Sequence, residues 1–170
     1  MLHIVFLYKA EAQSTAILLL LAASLPWGAG PERSGAGVLA YMLLVNVLLQ
    51  WIFGPGRHYS TVDFGTLFID ATAAAMFVAI ALRANRVYTL WLAGLQIISL
   101  ASHPVREIDR HMLPLAYSVM NIAPSYLELI IIAAGLVLHV RRVKRYGPYR
   151  SWRTSSSRSR ARAARASPRG

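Results

Sequence analysis

Apolar residues along the chain fall into five stretches that are separated by turn-forming or charged residues. A helix needs roughly 20 residues to cross the hydrocarbon core of a bilayer, and most of these stretches approach that length. Strands are disfavoured, because runs such as 17–23 and 129–134 do not alternate apolar and polar positions. The pattern predicts an all-α, polytopic transmembrane helix bundle of about five spans. The predicted spans are residues 12–27, 37–53, 62–82, 87–102 and 115–140.

Helix-breaking residues set the predicted boundaries of these spans. The first span has a possible upstream extension through residues 4–8, although two charged residues interrupt it. The glycine- and proline-containing segment 28–35 predicts a turn before the second span. Pro104 predicts the end of the fourth span, because the residue before a proline is disfavoured in the helical region. Pro124 lies well inside the fifth span and predicts a kink, since neighbouring helices can satisfy the freed carbonyl.

Composition and charge agree with a membrane domain that ends in a basic tail. Hydrophobic residues make up 56% of the 170 residues and charged residues only 15%. The formal net charge of +11 is local, because residues 141–170 hold 11 of the 18 Lys and Arg and none of the 7 Asp and Glu. Few apolar residues follow position 141, so residues 141–170 are predicted to be a disordered tail that follows the transmembrane domain 1–140.

The basic tail predicts both an orientation and a partner. Lys and Arg are retained on the cytoplasmic side, so the C-terminus is predicted to be cytoplasmic in a bacterial inner membrane. Basic residues near a bilayer are attracted to anionic lipid headgroups by about 1 kcal/mol each, which favours lipid over nucleic acid as the partner of the tail. The candidate headgroup-binding residues are Arg141, Arg142, Lys144, Arg145, Arg150 and Arg153.

Several short runs resemble small multi-span bacterial membrane proteins that have no assigned function. They are Phe64-Gly65, residues 82–96, Ser102-His103 and residues 113–117. The resemblance extends over most of residues 30–135. It implies the fold class and no activity.

Polar side chains within the predicted spans are candidates for function, because ionisable groups cost about 2.5–3.5 kcal/mol to insert in a membrane interior. On a helical period Asp70 shares a face with Asp63, and Glu128 shares one with Asn121. The second and fourth spans carry further polar stripes, and lipid satisfies none of these groups. Four stripes therefore predict a polar seam inside the bundle. Its candidate members are Asp70, Glu128, Asp63, Gln96, His103, Asn46, Gln50 and Asn121.

Two interpretations of this seam remain open from the sequence. In one, Asp70 and Glu128 titrate along a proton or cation path. In the other, the polar groups form interhelical hydrogen bonds that fix the packing, at roughly 0.6 kcal/mol per bond. No Lys or Arg lies deep in a predicted span to serve as a counter-ion, which argues against transport.

The sequence gives little support for a metal site, a cofactor or an enzymatic activity. His103, Glu107 and His111 are spaced to share one face of a helix, which makes them a weak candidate metal site. There is no cysteine, no recognisable nucleophile motif and no phosphate-binding glycine loop. We therefore expect no cofactor and no enzymatic activity.

The sequence thus leads to two hypotheses about function. The first is a non-enzymatic accessory or interaction subunit that binds a protein partner or a second copy of itself. The second is a small proton- or cation-coupled carrier or channel that uses the buried carboxyl groups of Asp70 and Glu128.

Overall fold

A computed structural model describes residues 2–54, 64–108, 114–147 and 151–152, with side chains described for 11–54, 64–104, 123–147 and 151–152. Within this part of the chain the regular structure is helical, apart from one antiparallel bridge between Ala84 and Trp152. The all-α prediction is confirmed. The five helices are α1 (Leu2–Trp27), α2 (Gly30–Phe53), α3 (Phe64–Arg83), α4 (Tyr88–Ile108) and α5 (Pro114–Tyr146).

The start of α2 corrects the predicted turn over 28–35. The helix begins at Gly30, seven residues before the predicted start, with a proline in its first turn followed by Glu32. Proline at this point loses no helical hydrogen bond, and an acidic side chain is favoured by the helix dipole. The glycine and proline in this segment are therefore part of a helix start and do not form a turn.

The C-terminal ends of α4 and α5 also differ from the predictions. The predicted stop at Pro104 is wrong, because α4 continues through it to Ile108. One missing backbone donor bends a helix without forcing its end where the flanking residues stay helical. Pro124 lies inside α5 as predicted, and this helix runs six residues past 140 to Tyr146. Gly147 ends it with a φ of 80° and donates to the Val143 carbonyl at 2.9 Å, a conformation that favours glycine.

The helices form a closed ring around an apolar core. Each helix packs against its neighbours in the chain, α5 packs against α1, and α2 also contacts α5 across the ring. The apolar centre holds Ala73, Phe77, Leu92 and Ile132, all fully buried. Since successive helices are antiparallel neighbours, the starts of α2 and α4 lie at the same end of the bundle as the C-terminus of α5. We call this the tail end.

The outside of the bundle is apolar. Large hydrophobic side chains are more than half exposed on all five helices, including Leu19, Trp51, Phe68, Trp91 and Leu138. Exposed apolar surface of this extent, around a core with buried polar groups, is typical of contact with lipid. Within the described residues three segments are long and apolar enough to cross a membrane, namely Gly30–Phe53, Phe64–Arg83 and Ala123–Tyr146.

Candidate functional site

The first buried polar site is centred on Asp70 in the second turn of α3. Gln96, Ser99 and His103 follow one another at helical spacing on α4, so that all three side chains reach the same carboxyl group. The Gln96 amide donates to Asp70 Oδ1 at 3.0 Å, and the Ser99 hydroxyl donates to Oδ2 at 3.4 Å. All four side chains are buried. Asp70, Gln96 and His103 are members of the predicted polar seam, and the structure brings them together with Ser99.

His103 makes the shortest contact to this acid. Its Nε2 lies 2.8 Å from Asp70 Oδ2, with both side chains buried. A carboxylate only accepts hydrogen bonds, so the bond contains one proton that either the imidazole or the carboxylic acid donates. The pair is therefore a site at which a proton is shared between α3 and α4.

Glu128 is a second buried acid and has a different environment. It lies on α5 with no exposed surface, and neither carboxyl oxygen has a hydrogen-bond partner among the described residues. Burying an ionised carboxylate without a hydrogen bond or a counter-ion is costly, so this position favours a bound proton or cation. We call Asp70, Gln96, Ser99, His103 and Glu128 the carboxyl cluster.

The described part of the chain contains no metal site of the usual kind. No group of three or more His, Asp or Glu side chains there is arranged to hold one. Of the weak candidate set, His103 is directed towards Asp70. The side chain of Glu107 and the whole of His111 lie outside the described residues.

A second buried polar site, which the sequence analysis missed, lies at the tail end. Glu32 at the start of α2 is fully buried and accepts from the Tyr88 hydroxyl at 3.0 Å. The Arg86 guanidinium lies 3.7 Å from the same carboxyl oxygen, and its Nη2 lies 3.2 Å from Nδ1 of His139. We call Glu32, Arg86, Tyr88 and His139 the ion-pair cluster. The available signal was Pro31-Glu32 as a helix start, which would have placed this acid inside the bundle.

An apolar layer separates the two clusters. Phe77, Leu92 and Ile132 are fully buried and come from three different helices. On α5, Ile132 lies one turn beyond Glu128, and on α4, Leu92 lies one turn before Gln96. A Cβ added to Gly35 would lie 3.4 Å from the Ile132 side chain, so α2 closes on this layer. From Glu128 to His139 the rise along α5 is about 16 Å.

Two predicted members of the seam do not join either cluster. The Gln50 side chain is exposed, and its amide donates to the Asn46 carbonyl oxygen one turn earlier on α2. Polar side chains four residues apart satisfy each other on the helix surface, so they need no partner helix. Asp63 and the side chain of Asn121 lie outside the described residues.

The basic residues that follow position 140 are divided between α5 and the chain beyond it. Arg141, Arg142, Lys144 and Arg145 are exposed on the last turns of α5, so this part of the predicted tail is helical. Arg150 and Arg153 lie outside the described residues.

Comparison with known proteins gives no family for the chain. No protein-family model, no curated protein and no solved structure matches it.

Proposed function

We propose that this protein moves protons across a membrane through the carboxyl cluster. The single observation that carries the proposal is Glu128, whose two carboxyl oxygens are buried without a hydrogen-bond partner among the described residues. An acid in this state lowers stability, and such a group in a native protein calls for a functional explanation. The adjoining Asp70 and His103 supply a proton that is already shared between two groups.

The proton steps follow from the donors and acceptors of the cluster. A proton on His103 Nε2 passes along the 2.8 Å hydrogen bond to Asp70 Oδ2, which leaves a neutral imidazole and a carboxylic acid. Asp70 then yields the proton to the Glu128 carboxylate through an intervening water molecule, because no hydrogen bond joins the two acids among the described residues. Gln96 and Ser99 hold the Asp70 carboxyl group in place throughout.

The membrane arrangement behind this proposal has five spans. Three segments meet the length and hydropathy of a span, and α1 and α4 complete the ring with apolar side chains exposed on their outer faces. We propose a bacterial inner membrane with the tail end in the cytoplasm, because exposed Arg and Lys end α5. Anionic lipid headgroups are the proposed partners of these basic residues.

Proton flux into vesicles tests the proposal. Purified protein is reconstituted with a pH-sensitive dye inside, and a potassium diffusion potential drives proton entry. We expect flux from the wild type and its loss in Asp70→Asn and in Glu128→Gln. Glu11→Gln makes the same isosteric change at an exposed position of α1 and is the matched control. Absence of flux from a folded wild type, or flux that both cluster variants retain, overturns the proposal.

A second candidate function is a non-enzymatic accessory or interaction subunit. The observation that favours it is the number of large apolar side chains exposed on all five helices, since partner helices as well as lipid pack against such a surface. Affinity purification in a mild detergent distinguishes the two functions. A stoichiometric companion protein, together with no flux from the purified chain alone, supports the accessory role.

A further inference from the structure

A short segment beyond α5 folds back onto the tail end of the bundle. Ser151 and Trp152 run antiparallel to Ala84 and Asn85, the residues that follow α3. The Asn85 amide donates to the Ser151 carbonyl oxygen at 3.2 Å. We call Ser151–Trp152 the strap.

The Trp152 indole fixes the strap to the first residue of α2. It lies so close to Gly30 that a Cβ at this position would overlap the ring. Any larger residue at position 30 would therefore have to displace the indole from this position. The indole itself is 39% exposed, so it covers the end of the bundle and is not part of the core.

The two anchor points of the strap are next to the ion-pair cluster in sequence. Gly30 is two residues before Glu32, and Asn85 immediately precedes Arg86. The strap thus contacts the α3–α4 connection and the start of α2, the two segments that contain Arg86 and Glu32. Glu32 Oε2 has no hydrogen-bond partner among the described residues, whereas Oε1 accepts from Tyr88 and faces Arg86.

We propose that the ion-pair cluster is the tail-side exit of the proton path and that the strap is an autoinhibitory lid which closes it. This inference rests on the proposed function. A proton that leaves Glu128 towards the tail end crosses the apolar layer on water molecules that enter between its side chains, and then reaches Glu32. The docked strap closes the way from this cluster to the solvent. Release of the strap exposes the exit, whereas docking shuts it.

The contacts of the strap suit a reversible lid. It is held by one described backbone hydrogen bond, an antiparallel bridge and a partly exposed indole, in contrast to the extensive packing of the helices. Contacts of this extent support an equilibrium in which the open form is a minor but populated state. Flux through the protein then scales with the open fraction.

Disulfide crosslinking tests the docking of the strap without any measurement of flux. Residues directly opposite in an antiparallel pair have Cα atoms about 4.5–5.5 Å apart, which lies within the range that a disulfide bridges. The chain contains no cysteine, so the double variant Asn85→Cys/Ser151→Cys has only this pair to oxidise. It leaves Trp152 intact. We expect an intramolecular crosslink in membranes, and none in the control Asn46→Cys/Ser151→Cys, in which one cysteine is placed far along α2.

Flux measurements then test the lid. In the double-cysteine variant we expect oxidation to reduce flux and a reductant to restore it. Gly30→Ala displaces the indole without changing a polar group, and we expect flux to rise about tenfold as the open fraction goes from a minor to a major state. Gly37→Ala is the matched control, because it makes the same change on α2 where a Cβ meets nothing within 4 Å.

The outcomes separate the lid from the function on which it rests. Flux that rises in Gly30→Ala and falls on oxidation supports the lid. Flux that depends on Asp70 and Glu128 but is the same in Gly30→Ala, Gly37→Ala and the oxidised protein overturns the lid alone. No flux from the folded wild type overturns both proposals, and failure of the Asn85/Ser151 pair to crosslink overturns the lid whatever the flux.

Discussion

The two buried polar clusters differ in how their charges are balanced. In the ion-pair cluster Glu32 faces an arginine and accepts a hydroxyl hydrogen bond. In the carboxyl cluster the imidazole of His103 contacts Asp70 alone, and the remaining partners of Asp70 are a neutral amide and a hydroxyl. Glu128 has no hydrogen bond at all within the described residues. The first cluster resembles a structural ion pair, whereas the second contains an uncompensated acid.

This difference indicates which cluster stabilises the fold and which cluster destabilises it. Removing one partner of a buried ion pair leaves the other charge uncompensated, so a balanced pair is sensitive to single substitutions. Removing an uncompensated acid relieves its desolvation instead. Stability should therefore respond in opposite ways to the loss of an acid at the two sites, and substitutions can test this contrast.

The largest expected loss of stability comes from Glu32→Gln. The substitution takes away the carboxylate that faces the buried Arg86 guanidinium, and we expect the free energy of unfolding in mixed micelles to fall by about 3 kcal/mol. The double variant Glu32→Gln/Arg86→Met removes both charges and should recover most of this loss. Equal stability of Glu32→Gln and the wild type would show that the ion pair contributes nothing to the fold.

We expect a smaller loss of stability when the closest hydrogen-bond partner of Asp70 is removed. In His103→Leu the Asp70 Oδ2 atom keeps, among the described contacts, the 3.4 Å bond from Ser99. We expect the free energy of unfolding to fall by about 2 kcal/mol. Ser102→Ala is the control on the same turn of α4, because this hydroxyl bonds only to the Ser99 carbonyl of its own helix among the contacts described. A loss in Ser102→Ala as large as in His103→Leu would contradict this role of the imidazole.

Part of the carboxyl cluster could be predicted from the sequence, because helix periodicity aligns its three members on α4. Gln96, Ser99 and His103 lie on one face of α4, and a buried face of this kind needs a polar partner such as Asp70. The same reasoning failed for Asn46 and Gln50, since spacing does not tell whether two polar groups satisfy each other or seek another helix.

The ion-pair cluster was not accessible in the same way. Arg86 lies in a connection between helices, and the sequence pattern predicts a turn around Glu32. Neither residue is therefore predicted to lie inside the bundle. Their contact depends on the packing of α2 against α5 and of α5 against α4, which is long-range information. The strap is hidden for the same reason, because nothing in the composition of the basic tail distinguishes Trp152 as a contact of Gly30.

The contact between Tyr88 and α5 offers a further prediction of moderate size. A Cβ at Gly135 would lie 3.1–3.3 Å from atoms of the Tyr88 ring, tighter than ordinary van der Waals contact. We expect Gly135→Ala to push the ring away from Glu32 and to destabilise the protein by about 1 kcal/mol. Gly94→Ala is the control within α4, since a Cβ there meets nothing within 4 Å and alanine is the better helix former. Equal effects of the two changes would mean that α5 adjusts to the methyl group.

The smallest expected change in stability is at Glu128, and it is the one that best separates the two clusters. In Glu128→Leu an apolar side chain of similar size replaces a buried acid without a hydrogen bond, so we expect the free energy of unfolding to stay equal or to rise by up to about 1 kcal/mol. The same variant should lose proton flux. A large loss of stability in Glu128→Leu would instead show that this carboxyl group holds the fold together, and the contrast with Glu32 would then disappear. A stable variant without flux supports the view that the acid is kept at a cost to stability because the path requires it.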